Sequence, residues 1–162
     1  MYCAEYCLEM PESFPVDELI RFMAAARRVL LDPKMSAAWG EFAGASNLIG
    51  WRFRSSLDDW QTYKRSIAVP AKDHEELYQR ERALFGMFVS GVSCIETVAY
   101  ALATLLSHPT LLSLPFGEKR KLRCSPGRLA DWLEPYPSAG RLSRALADLV
   151  ASEQWDLWVK LR

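Results

Sequence analysis

Two charged residues stand where the hydrophobic pattern would place an apolar side chain. Glu96 is the only charge in ALFGMFVSGVSCIETVAYALATLLS, residues 83 to 107. On a helical wheel its neighbours are Phe85, Val89, Val92, Tyr100 and Ala103 rather than the small polar strip of Ser90, Thr97 and Thr104. A carboxylate in such surroundings is desolvated, and it either finds a partner or is pushed toward its neutral form. A bond to Tyr100 or to another helix would hold bundle register, whereas an inward arginine would make a site. Arg162 supplies such an arginine. At about 100° per residue it falls inside the apolar arc of Trp155, Leu157, Trp158, Val159 and Leu161, away from Glu153, Asp156 and Lys160. Its planar fork suits a carboxylate or a phosphate.

A third cluster is basic. In GEKRKLR the cations Lys119, Arg120, Lys121 and Arg123 outnumber Glu118, and Arg128 follows in SPGRL. Such a run can neutralise a phosphate backbone, although it lacks the interleaved aromatics of a base-stacking platform and also fits a solvated loop. Other chemistries are poorly supplied. The cysteines Cys3, Cys7, Cys94 and Cys124 form no C-x-x-C pair, and the Cys3/Cys7 spacing suits one face of a helix. The only histidines, His74 and His108, are isolated, so neither a metal site nor a cofactor is expected. GVSC lies within a helical pattern with no preceding strand, which argues against a nucleophile elbow. His74 reads as an exposed first-turn residue and His108 as a cap at a helix end.

The elements that must position these groups are helical throughout. Ser13 and Pro15 open a first helix carrying Leu19, Met23, Ala26 and Leu30, and Asp32-Pro33 ends it. The same dipeptide supplies the N-cap and first position of a second helix, running from Pro33 to about Ser66. Trp39, Phe42, Ser46, Ile49, Phe53, Trp60 and Tyr63 mark its stripe, while Gly40, Gly44 and Gly50 predict a break or kink. After a loop at 68 to 73, Asp73 and Glu76 read as a D-x-x-E cap, with Glu76 and Arg80 as an i,i+4 pair. The helix that follows has no proline before Pro109 and is apolar on both sides, so it should be surrounded by others. Five of the nine prolines fall in 109 to 137, an irregular connector with short helical turns such as GRLADWL. Helical patterning resumes at 138 and restarts at Ser152 as a fresh N-cap.

The fold class is therefore all-α, a bundle of four or five helices around a long central helix at about 73 to 107. A single domain, 1 to 162, is expected, with N-terminal helices in 1 to 72 and a helical core in 73 to 162. At 50% hydrophobic and 25% charged residues, with 20 basic against 20 acidic side chains, the chain can form one core but has no overall basic field. Any nucleic-acid contact must be local. Residues 83 to 107 are long enough to span a bilayer, but they lack a basic flank after Ser107, and the amphipathic neighbours need them as a core. No membrane insertion is expected. No secretory signal is visible in MYCAEYCLEMPES, so a cytoplasmic location is the expectation.

The second half resembles a HEPN domain, the all-helical fold of prokaryotic toxins, defence proteins and related RNases. The likeness rests on residues 77 to 162: a long helix with VSCIETVAYALATLL, a variable connector, and a last helix ending WDLWVKLR. The family's late helix carries an arginine, commonly followed by a polar residue, with a histidine four to six positions beyond. Arg162 matches the arginine, and nothing in this sequence matches the histidine. The resemblance implies a homodimer and metal-independent RNA cleavage, in which Arg162 would stabilise phosphoryl charge while the proton-transfer role has no occupant. The expectation is a HEPN-like domain related to RNA-processing, toxin or defence proteins but catalytically incomplete, with RNA or a protein as partner. A non-enzymatic protein-interaction module and a bundle binding a small molecule beside Glu96 are the alternatives.

Overall fold

The computed structural model describes residues 2–3, 8–30 and 36–162, and its architecture is all-α. A minimal antiparallel ladder, β1 (Tyr2–Cys3) with β2 (Leu8–Glu9), precedes the helices. Cys3 is therefore extended, not helical, and Cys7 lies outside the described residues. Helix α1 spans Val16–Leu30, α2 Ser36–Ile67 and α3 His74–Leu106. The connector holds one turn, α4 (Glu118–Lys121), and the short α5 (Pro126–Leu133). A 3-10 turn at Pro137–Ala139 leads into α6 (Gly140–Val150), and α7 (Glu153–Leu161) closes the chain. The expected bundle corresponds to α1, α2, α3, α6 and α7.

Local chemistry sets several of these ends. The Asp73 carboxylate accepts from the Glu76 amide at 2.9 Å and caps α3. Glu76 reaches back to the Lys72 amide at 2.9 Å, while Arg80 donates to the Val69 carbonyl, so the expected Glu76–Arg80 pair does not form. Ser152 caps α7 as the sequence indicates, its hydroxyl accepting from the Trp155 amide at 3.2 Å. Beyond α3, His108 is buried and its Nδ1 lies 2.8 Å from the Thr110 hydroxyl, a turn-forming contact. The proposed cap at Asp32 and Pro33 lies outside the described residues.

The predicted break in the second helix is absent: α2 runs uninterrupted through all three glycines. Each glycine costs up to about 1 kcal/mol of helix propensity. That penalty is offset by packing along the length of α3, with Phe42, Ala45 and Ile49 buried between the helices and α1. Phe22 meets Phe42 edge-on at 5.4 Å, and Phe14 meets Phe53 at 5.0 Å.

Helix α3 serves two cores. Cys94 and Ala101 enter the one built with α1 and α2. Ala99 and Ala103 enter a second, with Leu114, Phe116, Leu129, Leu133 and Leu146. The helix is not surrounded along its whole length, because Leu77, Tyr78 and Phe85 near its start are exposed. It is also long and apolar enough to cross a membrane, with 39% of its most apolar 18-residue stretch buried.

One glycine on α3 is under tight steric control. A Cβ on Gly91 would lie 2.2 Å from the Trp158 ring, whereas Gly40 and Gly44 on α2 have nothing within 4 Å. We expect Gly91→Ala to destabilise the fold by about 1–3 kcal/mol through overpacking. Gly44→Ala should instead stabilise it, by up to about 1 kcal/mol. Urea denaturation of the two variants should therefore move the midpoint in opposite directions.

Candidate functional site

The groove between α2 and α3 has Glu96 in its wall, and two other charges singled out in the sequence, Arg162 and Lys121, reach its carboxylates. Trp158 on α7 packs edge-on against Phe88 at 5.4 Å and fills the notch over Gly91. One turn later on α7, Arg162 arrives beside Glu96. Its guanidinium donates to the carboxylate at 2.7 Å, with 37% and 30% of the two side chains exposed. The expected pairing of the two residues is present, but Glu96 sits at a half-open rim, not in the interior. The apolar arc of α7 is also narrower than the wheel implies, since Leu157, Val159 and Leu161 are exposed.

The groove has a volume of about 450 Å³, and besides Glu96 it is lined by Glu41, Arg52, Thr97, Tyr100 and Cys124. Gly40 and Gly44, one turn apart on α2, leave it open on one side. Tyr100 does not pair with Glu96. Its hydroxyl lies 3.3 Å from Glu41, and burial together with that carboxylate raises its pKa. Arg52 donates to the Ser93 carbonyl at 3.0 Å and to the Thr97 hydroxyl, with no acidic partner among the described residues. Of the polar strip on α3, Thr97 and Thr104 are buried, at 5% and 2% exposed, with hydroxyls bonded to the carbonyls of Ser93 and Tyr100, while Ser90 is partly exposed. Sequence reasoning passed over Glu41 and Arg52. Their signal is the small-residue gap at Gly40 and Gly44 beside charges on the α2 face that meets α3.

The basic run divides in two. Lys121 turns toward the bundle and pairs with Glu41 at 2.5 Å and Glu118 at 3.1 Å. Hydrogen bonds to Glu41 and then Glu118 raise its pKa. Lys121, expected among the phosphate-binding residues, thus already has two carboxylates as partners. Lys119, Arg120 and Arg123 turn outward and are joined by Arg128, whose amide donates to the α5 cap Ser125 at 3.3 Å. These four cations surround Trp132 in a depression of about 220 Å³. Arg120 lies over the indole at 5.0 Å, supplying the aromatic contact missing from the local sequence. None of the four has an ion-pair partner among the described residues.

Among the described residues no group of three or more His, Cys, Asp or Glu is placed to hold a metal ion. Neither histidine lines the groove. No family model matches the chain, and no curated protein and no solved structure is similar to it.

Burial, and after it the Glu96 carboxylate, push the Cys124 thiol up to about 12. At pH 8 its thiolate is scarce, and alkylation by iodoacetamide should run about a thousandfold slower than at a free cysteine. Glu96→Gln removes the second cause, so Cys124 should label faster. The same variant should lose less than about 1 kcal/mol of stability, since the ion pair is part-exposed. Site-resolved mass spectrometry with parallel denaturation curves measures both.

Proposed function

We propose that this chain is a HEPN-like helical module that binds the phosphate backbone of RNA without cleaving it. One observation carries the reading: Lys119, Arg120, Arg123 and Arg128 converge around Trp132 with no ion-pair partner among the described residues. The chain's formal charge is zero, so a local cluster of four unpaired cations is the feature able to attract a polyanion. Arg120 covers one face of the indole, which leaves the patch reading charge more than base identity.

Arg162 has a structural part in this reading. Its guanidinium is engaged by Glu96, and no histidine lines their groove to move a proton. The pair then ties α7 to α3. A HEPN-like nuclease would need an arginine facing the phosphate and a proton carrier within reach of it.

The test is fluorescence anisotropy with a labelled single-stranded RNA. With up to four phosphate contacts, log K should fall with log salt at a slope of roughly −2 to −3. Arg123→Glu with Arg128→Glu, both exposed, should weaken binding more than tenfold. Arg162→Ala should alter neither affinity nor the integrity of the RNA on a gel. Salt-independent binding, or an unchanged double variant, would remove the proposal and favour a protein-interaction module.

A further inference from the structure

A second cavity lies beside the polar groove, nearer the C-terminal end of α2 and the start of α3. It encloses about 520 Å³ between α2, α3 and α7, with Met87 and Cys94 among its buried walls and Trp60 and Leu157 among its exposed ones. Phe53, Phe88, Ile95 and Trp158 complete its apolar surface. Its serine and its cysteine are already committed. The Ser56 hydroxyl donates to the Met87 carbonyl at 2.9 Å, and the Cys94 thiol donates to the Ile49 carbonyl at 3.4 Å. Apart from these and the indole N–H groups of Trp60 and Trp158, the walls offer no polar side-chain atom, so most polar atoms placed there would be stranded. The cavity suits hydrocarbon.

Charge is supplied next door. Arg52 precedes Phe53 in α2 and lines the polar groove, so one helix presents a cation to one cavity and an apolar wall to the other. Its charge is felt at Cys94, a wall of the apolar cavity. The groove's carboxylates each have a cation of their own, Glu41 with Lys121 and Glu96 with Arg162. Arg52 has none among the described residues, and its bonds to Ser93 and Thr97 hold its guanidinium in place.

We propose that the two cavities form one site for a free fatty acid, with the acyl chain in the apolar cavity and the carboxylate on Arg52. The site is separate from the basic patch around Trp132 and does not depend on RNA binding. Complementarity runs along the ligand: a hydrocarbon stretch meets predominantly apolar walls, and a single anionic end meets Arg52, which has no acidic partner among the described residues.

Calorimetric titration of the intact chain with monomeric dodecanoate and with dodecanol tests the assignment. Saturable dodecanoate binding is expected, with dodecanol about ten- to hundredfold weaker, the range for losing a hydrogen bond between charged groups. Arg52→Gln should bring dodecanoate down to the dodecanol level and leave dodecanol itself unchanged, which also reports that the apolar cavity is intact. Leu157→Glu, at an exposed wall, should weaken both ligands more than tenfold. Absence of saturable binding, equal affinity for the two ligands, or indifference to Leu157→Glu would overturn the proposal. So would sedimentation of the wild-type chain with phosphatidylcholine vesicles that is lost in Leu157→Glu, because the exposed wall would then be a bilayer-insertion face.

Discussion

Everything in this fold depends on α3 being narrow on opposite sides at once. A helix with large apolar residues all round could enter one core only by excluding its neighbours from the other. Here Ala99 and Ala103 admit α5 and the 108–116 segment on one flank, while Cys94 and Ala101 admit α2 and α1 on the other. Small side chains let backbones approach, and the dispersion lost with their volume is recovered from Phe42, Leu30, Leu129 and Leu133, which are fully buried against them. The two apolar clusters share one support, and Tyr100 of α3 packs against both, so strain introduced in either is transmitted through α3.

The same support organises the charges. Side chains on the α2–α3 face alternate between acids paired to cations from elsewhere in the chain, Lys121 from the connector and Arg162 from α7, and an arginine bonded to neutral oxygens. These ion pairs are part-exposed and contribute little to stability individually. Their effect is positional: each fixes where a peripheral segment lies against the central pair. Lys121 has a further consequence, because its inward turn leaves its neighbours Lys119, Arg120 and Arg123 facing outward.

Much of this was readable in the residues. Ser152 and Asp73 act as caps because a side-chain oxygen at that position satisfies an amide the helix leaves unpaired, a local requirement with a local signature. The meeting of Glu96 and Arg162 was readable as well, since two charges on apolar faces are the most economical partners for each other. What escaped was set by tertiary contact. Continuity of α2 through Gly40, Gly44 and Gly50 depends on packing that no propensity contains, and Lys121 leaves the basic run because Glu41, 80 residues earlier in the chain, lies beside it. The arc of α7 was read too wide because patterning registers apolar character and cannot tell which apolar residues find a neighbour.

That last helix bears on how the molecule breathes. No residue of α7 is fully buried, and it is joined to the remainder chiefly through an indole seated over Gly91 and one ion pair at its end. Few apolar contacts mean a low free energy of local opening, so its amides should exchange with solvent well ahead of those at the middle of α3. Each such excursion lifts the wall formed by Leu157 and Trp158, making a lightly anchored helix the door of the apolar cavity.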